Sequence, residues 1–192
     1  MPDSSAVQRI TSSAGVRVYR IACPVLPHLM GCVHVVLGAG HPTLMDTGGG
    51  SPECSQAILQ GFERIASEHG ETICIEKIER ILLTHGHLDH IGGAADFVDR
   101  SGAELMIHVR DLAMIADFDQ RAKKATEAFS RFLLTTGLAD ESVPRVIGRF
   151  GYGPGRVKSV PQTKSFEDGE DFDGILAIHT PGHSAGHVCF RI

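Results

Sequence analysis

The stretch from Ile78 to His90 constrains this chain more than any other. Ile78 to Thr84 is apolar and β-branched enough for a buried strand, and it runs straight into His85-Gly86-His87-Leu88-Asp89-His90. Three imidazoles and a carboxylate at the end of a buried strand belong at the rim of a sheet, where functional groups can be exposed without breaking the core. In an extended segment alternate side chains face one way, so His85, His87 and Asp89 are predicted to converge, with His90 arriving from the following turn. Gly92-Gly93 then opens a helix that Gly102 closes, and Ala103 to Val109 reads as the next strand. A strand, loop, helix, strand order requires an α/β layered domain.

The flanking segments fit that class. Val16, Val18 and Ile21 after Gly15, then Val33 to Leu37, then Thr43 to Asp46 read as strands of a meander that ends in Thr47-Gly-Gly-Gly. Ser51 is placed as an N-cap, with Pro52 at the first helical position and Glu53 facing the positive end of the helix. Cys54, Ile58, Phe62 and Ile65 share one face of that helix, and Gly70 stops it. From Arg110 to about Gly137 the pattern is helical, with Ala122, Ala125, Phe129, Phe132 and Leu133 on one face. With the glycine- and proline-rich loop from Gly148 to Pro161, it forms a helical insertion at about 110–160 in a single domain spanning 1–192. Arg149, Tyr152 and Arg156 read as part of a solvated loop, with contact to substrate as the alternative. A strand from Ile175 to Thr180, the turn Pro181-Gly-His-Ser-Ala-Gly-His187 and an apolar run from Val188 to Ile192 complete the chain.

That last turn is the second concentration of chemistry. Pro181 and Gly182 set a sharp bend that projects His183, and Gly186 permits close backbone approach. Neutral imidazoles with one carboxylate suit zinc, and also iron or manganese, since none of these needs thiolate. Three protein ligands leave a coordination position for water, the open arrangement of a catalytic site. Asp46 and His187 are expected to hydrogen-bond and orient the ligands. His108 and His179, at strand ends, read as structural, and His28, His34, His41 and His69 show no clustering.

Composition excludes several alternatives. The net charge of −5 and the absence of a basic cluster argue against nucleic acid as partner. No apolar run reaches the roughly 18 residues of a membrane span and the first residues lack a signal-peptide pattern, so the expected address is cytoplasmic and no membrane partner is expected. Five cysteines, an odd number without a C-x-x-C pair, read as reduced thiols rather than a disulfide framework. The implied partner is a small-molecule substrate.

His85-x-His87-x-Asp89-His90 and Thr180-Pro-Gly-His183, preceded by Leu44-Met-Asp46-Thr-Gly, resemble the signature of the metallo-β-lactamase-fold hydrolases, with the wording around His183 closest to glyoxalase II-like members. The resemblance spans about residues 16–192. It implies an αββα sandwich with one or two zinc ions at the edge between the sheets. His85, His87 and His183 would hold the first ion, and Asp89 and His90 part of the second. Family members carry a bridging aspartate and a last histidine beyond the third motif. This chain reaches Ile192 soon after His183, so the expectation is a sandwich without its C-terminal portion. Val188 to Ile192 would then be an unpaired apolar strand that another copy of the chain covers. The implied reaction is hydrolysis of a thioester, lactone or β-lactam-like carbonyl by a metal-bound hydroxide, with Asp89 orienting it or carrying a proton. A non-haem iron oxygenase or redox protein on the same fold is the alternative, since two histidines and a carboxylate also suit iron. An incomplete domain that binds metal without doing chemistry is the other.

Overall fold

Period-two alternation along the strands builds two hydrophobic cores on opposite faces of one sheet. The computed structural model describes residues 7–26, 28–150 and 157–192. Tyr152 and Arg156, and the side chain of Arg149, lie outside the described residues. Seven strands form the larger sheet in sequence order: β1 (Gln8–Thr11), β2 (Arg17–Leu26), β3 (Leu29–Leu37), β4 (Thr43–Met45), β5 (Arg80–Leu83), β6 (Glu104–His108) and β7 (Lys164–Phe166). β2 to β4 pair antiparallel, as the predicted meander requires, β1 adds a further antiparallel strand on β2, and β4 to β7 pair parallel. The short edge strands β1 and β7 carry too little apolar alternation to be legible in the sequence.

The parallel half needs crossovers, and helices supply them. α1 (Pro52–His69) links β4 to β5, beginning where Ser51 Oγ accepts the Cys54 N–H at 3.2 Å and ending at left-handed Gly70. α2 (Leu88–Ile91) and α3 (Ala94–Ser101) link β5 to β6. α4 (Ala113–Ala116), α5 (Phe118–Thr135) and α6 (Val143–Phe150) lie between β6 and β7. Tyr19, Ile21, Val35, Ile81, Leu83 and Ile107 face these helices and meet Ile58, Phe62, Phe97 and Phe118. Each fully buried side chain of this size contributes roughly 1.5–3 kcal/mol. On α5 the predicted apolar face is buried only in part. Phe118, Ala122 and Leu133 are covered, whereas Phe132 is 60% exposed.

From the opposite face Val36, Met45, Leu82, Met106 and Phe166 pack against Phe172, Ile175, Ala177 and Val188. The last two belong to a second sheet of β8 (Leu176–His179) and β9 (Val188–Arg191). The C-terminal run is therefore not unpaired. The Pro181-Gly182 turn folds it back antiparallel on β8, with His179 opposite Val188 and Leu176 opposite Arg191. Helices, large sheet and small sheet stack as three layers, which places the chain in the α/β class with the sandwich order the sequence predicts. Ile178 and Cys189 on the small sheet remain exposed. Among the described residues no helix is long and apolar enough to cross a membrane.

Candidate metal centre

Three neighbouring parallel strands end side by side, and each delivers a polar side chain to the same rim. Asp46 follows β4, Thr84 and His85 follow β5, and Asp111 follows β6 by one turn. Ligands of open α/β sheets gather outside such carboxyl ends, because the crossover loops converge there. The β8–β9 turn reaches the rim from the second sheet and adds His183 and His187. It is fastened by a hydrogen bond from the Val188 N–H to the Thr84 carbonyl at 2.9 Å.

His85, His87 and His183 each turn a ring nitrogen to one point, and these nitrogens all lie within 4.8 Å of one another. His85 Nε2 stands 3.1 Å from His87 Nδ1, which stands 2.9 Å from His183 Nε2. Burial, followed by the neighbouring imidazoles of His90 and His87, pushes the pKa of His85 down to about 4. Burial and His183 lower that of His87 as well. These two rings are accordingly neutral at pH 7, the form of imidazole that coordinates a metal. A set of three imidazole nitrogens fits zinc, and the acidic side chains beside it would offset the charge of a second ion.

Asp89 departs from the expected alternation. The chain turns helical at Leu88, so Asp89 and His90 sit on α2 and not on an extended row with His85 and His87. Asp89 Oδ2 lies 3.6 Å from His90 Nε2, beside the triad and not within it. The His90 ring centre is 4.1 Å from that of His85. This still leaves Asp89 and His90 as neighbours on one wall.

The residues expected to orient ligands make contacts of two kinds. Asp46 accepts the Thr84 N–H at 2.8 Å and the Thr84 hydroxyl at 3.0 Å through Oδ1, while His90 Nδ1 donates to its Oδ2 at 2.8 Å. Its backbone is left-handed (φ +60°), a conformation that Asp tolerates better than most residues and that turns the carboxylate back under the site. Burial opposes charge on His90, but the Asp46 hydrogen bond and negative charge outweigh it and raise its pKa above the usual imidazole value. His187 donates or accepts through Nδ1 with Thr180 Oγ1 at 2.8 Å, and its ring centre is 5.2 Å from that of His85. His179 stacks on buried His108, with ring centres 4.3 Å apart and planes 7° from parallel, and its Nε2 hydrogen-bonds the Ala185 carbonyl at 2.9 Å. This strand-end pair props the loop that carries His183.

Asp111 was not legible in the sequence. Its buried carboxylate accepts the Gly86 N–H at 3.0 Å and the Ser184 hydroxyl at 2.7 Å on Oδ2, and the Gly186 N–H at 2.9 Å on Oδ1. One side chain thus ties together the loops bearing His85 and His87 on one side and His183 on the other. A Cβ added at Gly186 would lie 2.8 Å from the Asp111 nitrogen, so only glycine permits the approach.

Residues 28–192 match the family model of the metallo-beta-lactamase superfamily. The chain belongs to the metallo-β-lactamase superfamily. It is similar to a probable metallo-hydrolase, YybB, of Bacillus subtilis strain 168, with 39% identity over 131 residues that make up 68% of this chain and 48% of that protein. It is also similar to an atrochrysone carboxyl ACP thioesterase of Aspergillus fumigatus, 28% identical over 84% of this chain and 27% of that protein. Among solved structures, the metallo-beta-lactamase family protein TTHA1429 of Thermus thermophilus superposes with a TM-score of 0.70 at 26% identity, covering 90% of this chain and 55% of that one. The chain spans about half the length of superfamily relatives such as YybB and TTHA1429. A further relative, YflN of the same Bacillus subtilis strain, is also named a probable metallo-hydrolase.

Proposed function

We propose that this chain carries a zinc-dependent, glyoxalase II-like hydrolase site for an activated carbonyl compound: a thioester, a lactone or a β-lactam-like ring. The observation that carries the reading is the convergence of the His85, His87 and His183 nitrogens within 4.8 Å at the carboxyl end of the parallel strands. Those three residues would hold the first ion, and Asp89 with His90 would contribute to a second. A bound zinc ion supplies Lewis acidity, lowering the pKa of a water to roughly 7 and polarising a carbonyl oxygen.

The side chains supply the remainder. Asp89, partly exposed on α2 with Oδ2 3.6 Å from His90 Nε2, would hold the proton released by water and pass it to the leaving group. Asp46 fixes the His90 ring so that Nε2, and not Nδ1, faces the site. Asp111 holds the two ligand loops in register, which keeps the nitrogens preorganised. Of the three substrate classes a thioester is the first to test, because the Aspergillus relative is named a thioesterase.

The test is hydrolysis of simple acyl thioesters by the zinc-loaded protein, followed at the thioester absorbance, with metal content measured in parallel. Turnover should vanish on chelation and return with zinc. Full activity in metal-free protein, or oxygen consumption by an iron-loaded protein that hydrolyses nothing, would overturn the proposal.

A further inference from the structure

Beside the triad a second pocket of about 370 Å³ opens between the His87 loop, the Ser184-Ala185 turn and the insertion. Its floor is apolar, with Met114 from α4 and Ala125 from α5. Two arginines line it: Arg110, from the turn after β6, and Arg121, from the first turns of α5. Neither guanidinium has a carboxylate partner among the described residues, in contrast to Arg17, paired with Glu71, Arg80 with Asp173 and Arg100 with Asp96. The single acid on the wall, Asp111, has both oxygens occupied by Gly86, Ser184 and Gly186. Among the described residues the lining therefore carries two guanidiniums against one carboxylate, a net positive charge, and that carboxylate is turned to neutral donors and paired with neither arginine.

From this geometry, and resting on the hydrolase reading above, we infer that the substrate carries an anionic oxygen group, a carboxylate or a phosphate, that Arg110 and Arg121 bind while the scissile carbonyl lies at the triad. Guanidinium groups recognise planar or tetrahedral oxyanions through paired N–H donors, and such charge-assisted bonds are the strong ones. His87 lines both this pocket and the triad, so a ligand spanning the two needs only a short tether. The insertion would then set specificity by charge and not only by shape.

The probes are non-hydrolysable thioethers of one length bearing a carboxylate, a phosphonate or a methyl ester, titrated calorimetrically into the zinc-loaded protein, its Arg110→Gln and Arg121→Gln variants and the double variant. Arg121→Lys tests whether the fork or only the charge is required, and circular dichroism checks that each variant is folded. One of the two anionic probes should bind at least about 10-fold more tightly than the ester, and which one does so distinguishes carboxylate from phosphate. That preference should fall below about 3-fold in the double variant. Equal binding of all three probes, or an anion preference that survives in the double variant, would overturn the inference. Should the protein hydrolyse no carbonyl substrate while the arginine-dependent preference persists, the subsite stands and the hydrolase reading falls. Should it hydrolyse thioesters with no charge preference, the reverse holds.

Discussion

Asp46 Oδ2 accepts a 2.8 Å hydrogen bond from His90 Nδ1, and the same carboxylate holds the Thr84 backbone and hydroxyl. The bond fixes the imidazole tautomer that leaves Nε2 free. Asp46→Asn keeps the side-chain shape and tolerates the left-handed backbone, but it weakens the acceptor facing His90. The expected result is a roughly 10- to 100-fold loss of zinc affinity at the Asp89–His90 position with little change in melting temperature, measured by competition with a chromophoric chelator. Unchanged affinity in a folded Asp46→Asn protein would rule out this orienting role.

Asp111→Ala removes an acceptor shared by Gly86, Ser184 and Gly186 and leaves two buried backbone N–H groups unpaired. The cost should be about 2–4 kcal/mol in denaturant unfolding. Zinc binding by the triad should weaken at the same time, because the loops carrying His87 and His183 lose their common anchor. A variant with native stability and native zinc affinity would show that the loops are held by other contacts.

His183→Ala is an exposed change on the β8–β9 turn, so the fold should survive it. Zinc stoichiometry should fall and thioester turnover should be lost together. Retention of tight zinc binding would mean that His183 is not a ligand.

Glu71 accepts from Arg17 Nε at 2.5 Å and from the Tyr19 hydroxyl at 2.6 Å. Those bonds hold its pKa below the ordinary 4.5. A depressed carboxylate stabilises the fold above the unfolded-state pKa and loses that contribution as pH falls through the folded value. Glu71→Gln should therefore be less stable than the parent at pH 7, by about 1 kcal/mol, and the gap should close as pH falls below the ordinary carboxylate value. Thermal unfolding at a series of pH values measures it. A gap that is constant with pH would exclude an ionic origin.

Phe166 is fully buried between the two sheets against Phe172 and Phe190, with ring centres 5.3 and 6.0 Å away. Phe166→Ala should cost about 3–5 kcal/mol. A loss below about 1 kcal/mol would mean that the second core contributes little to holding the β8–β9 turn at the rim.

The caps of α1, the buried strand before His85 and the histidine clusters all depend on neighbours in sequence, so residue type and spacing were enough to place them. β2 and β3 were equally legible, β2 from its alternation and β3 from the continuous apolar run of a strand end buried on both faces. The position of Asp89 was not, since a single helical turn of four residues is too short to announce itself beside glycine. β7 is three residues long and gains its place only by pairing with β6.

The sequence by itself determined the strand-end histidines and the class of layered fold that can display them, because short-range periodicity and donor chemistry are local properties. The tertiary structure alone decided that Asp111, 25 residues from Gly86 and 75 from Gly186, would join the two loops. It also decided that β9 would pair with β8 and that Arg110 and Arg121 would share a wall with His87. Each of these brings distant segments together, and their positions follow from how the sheet stacks its crossovers, which no window of neighbouring residues encodes.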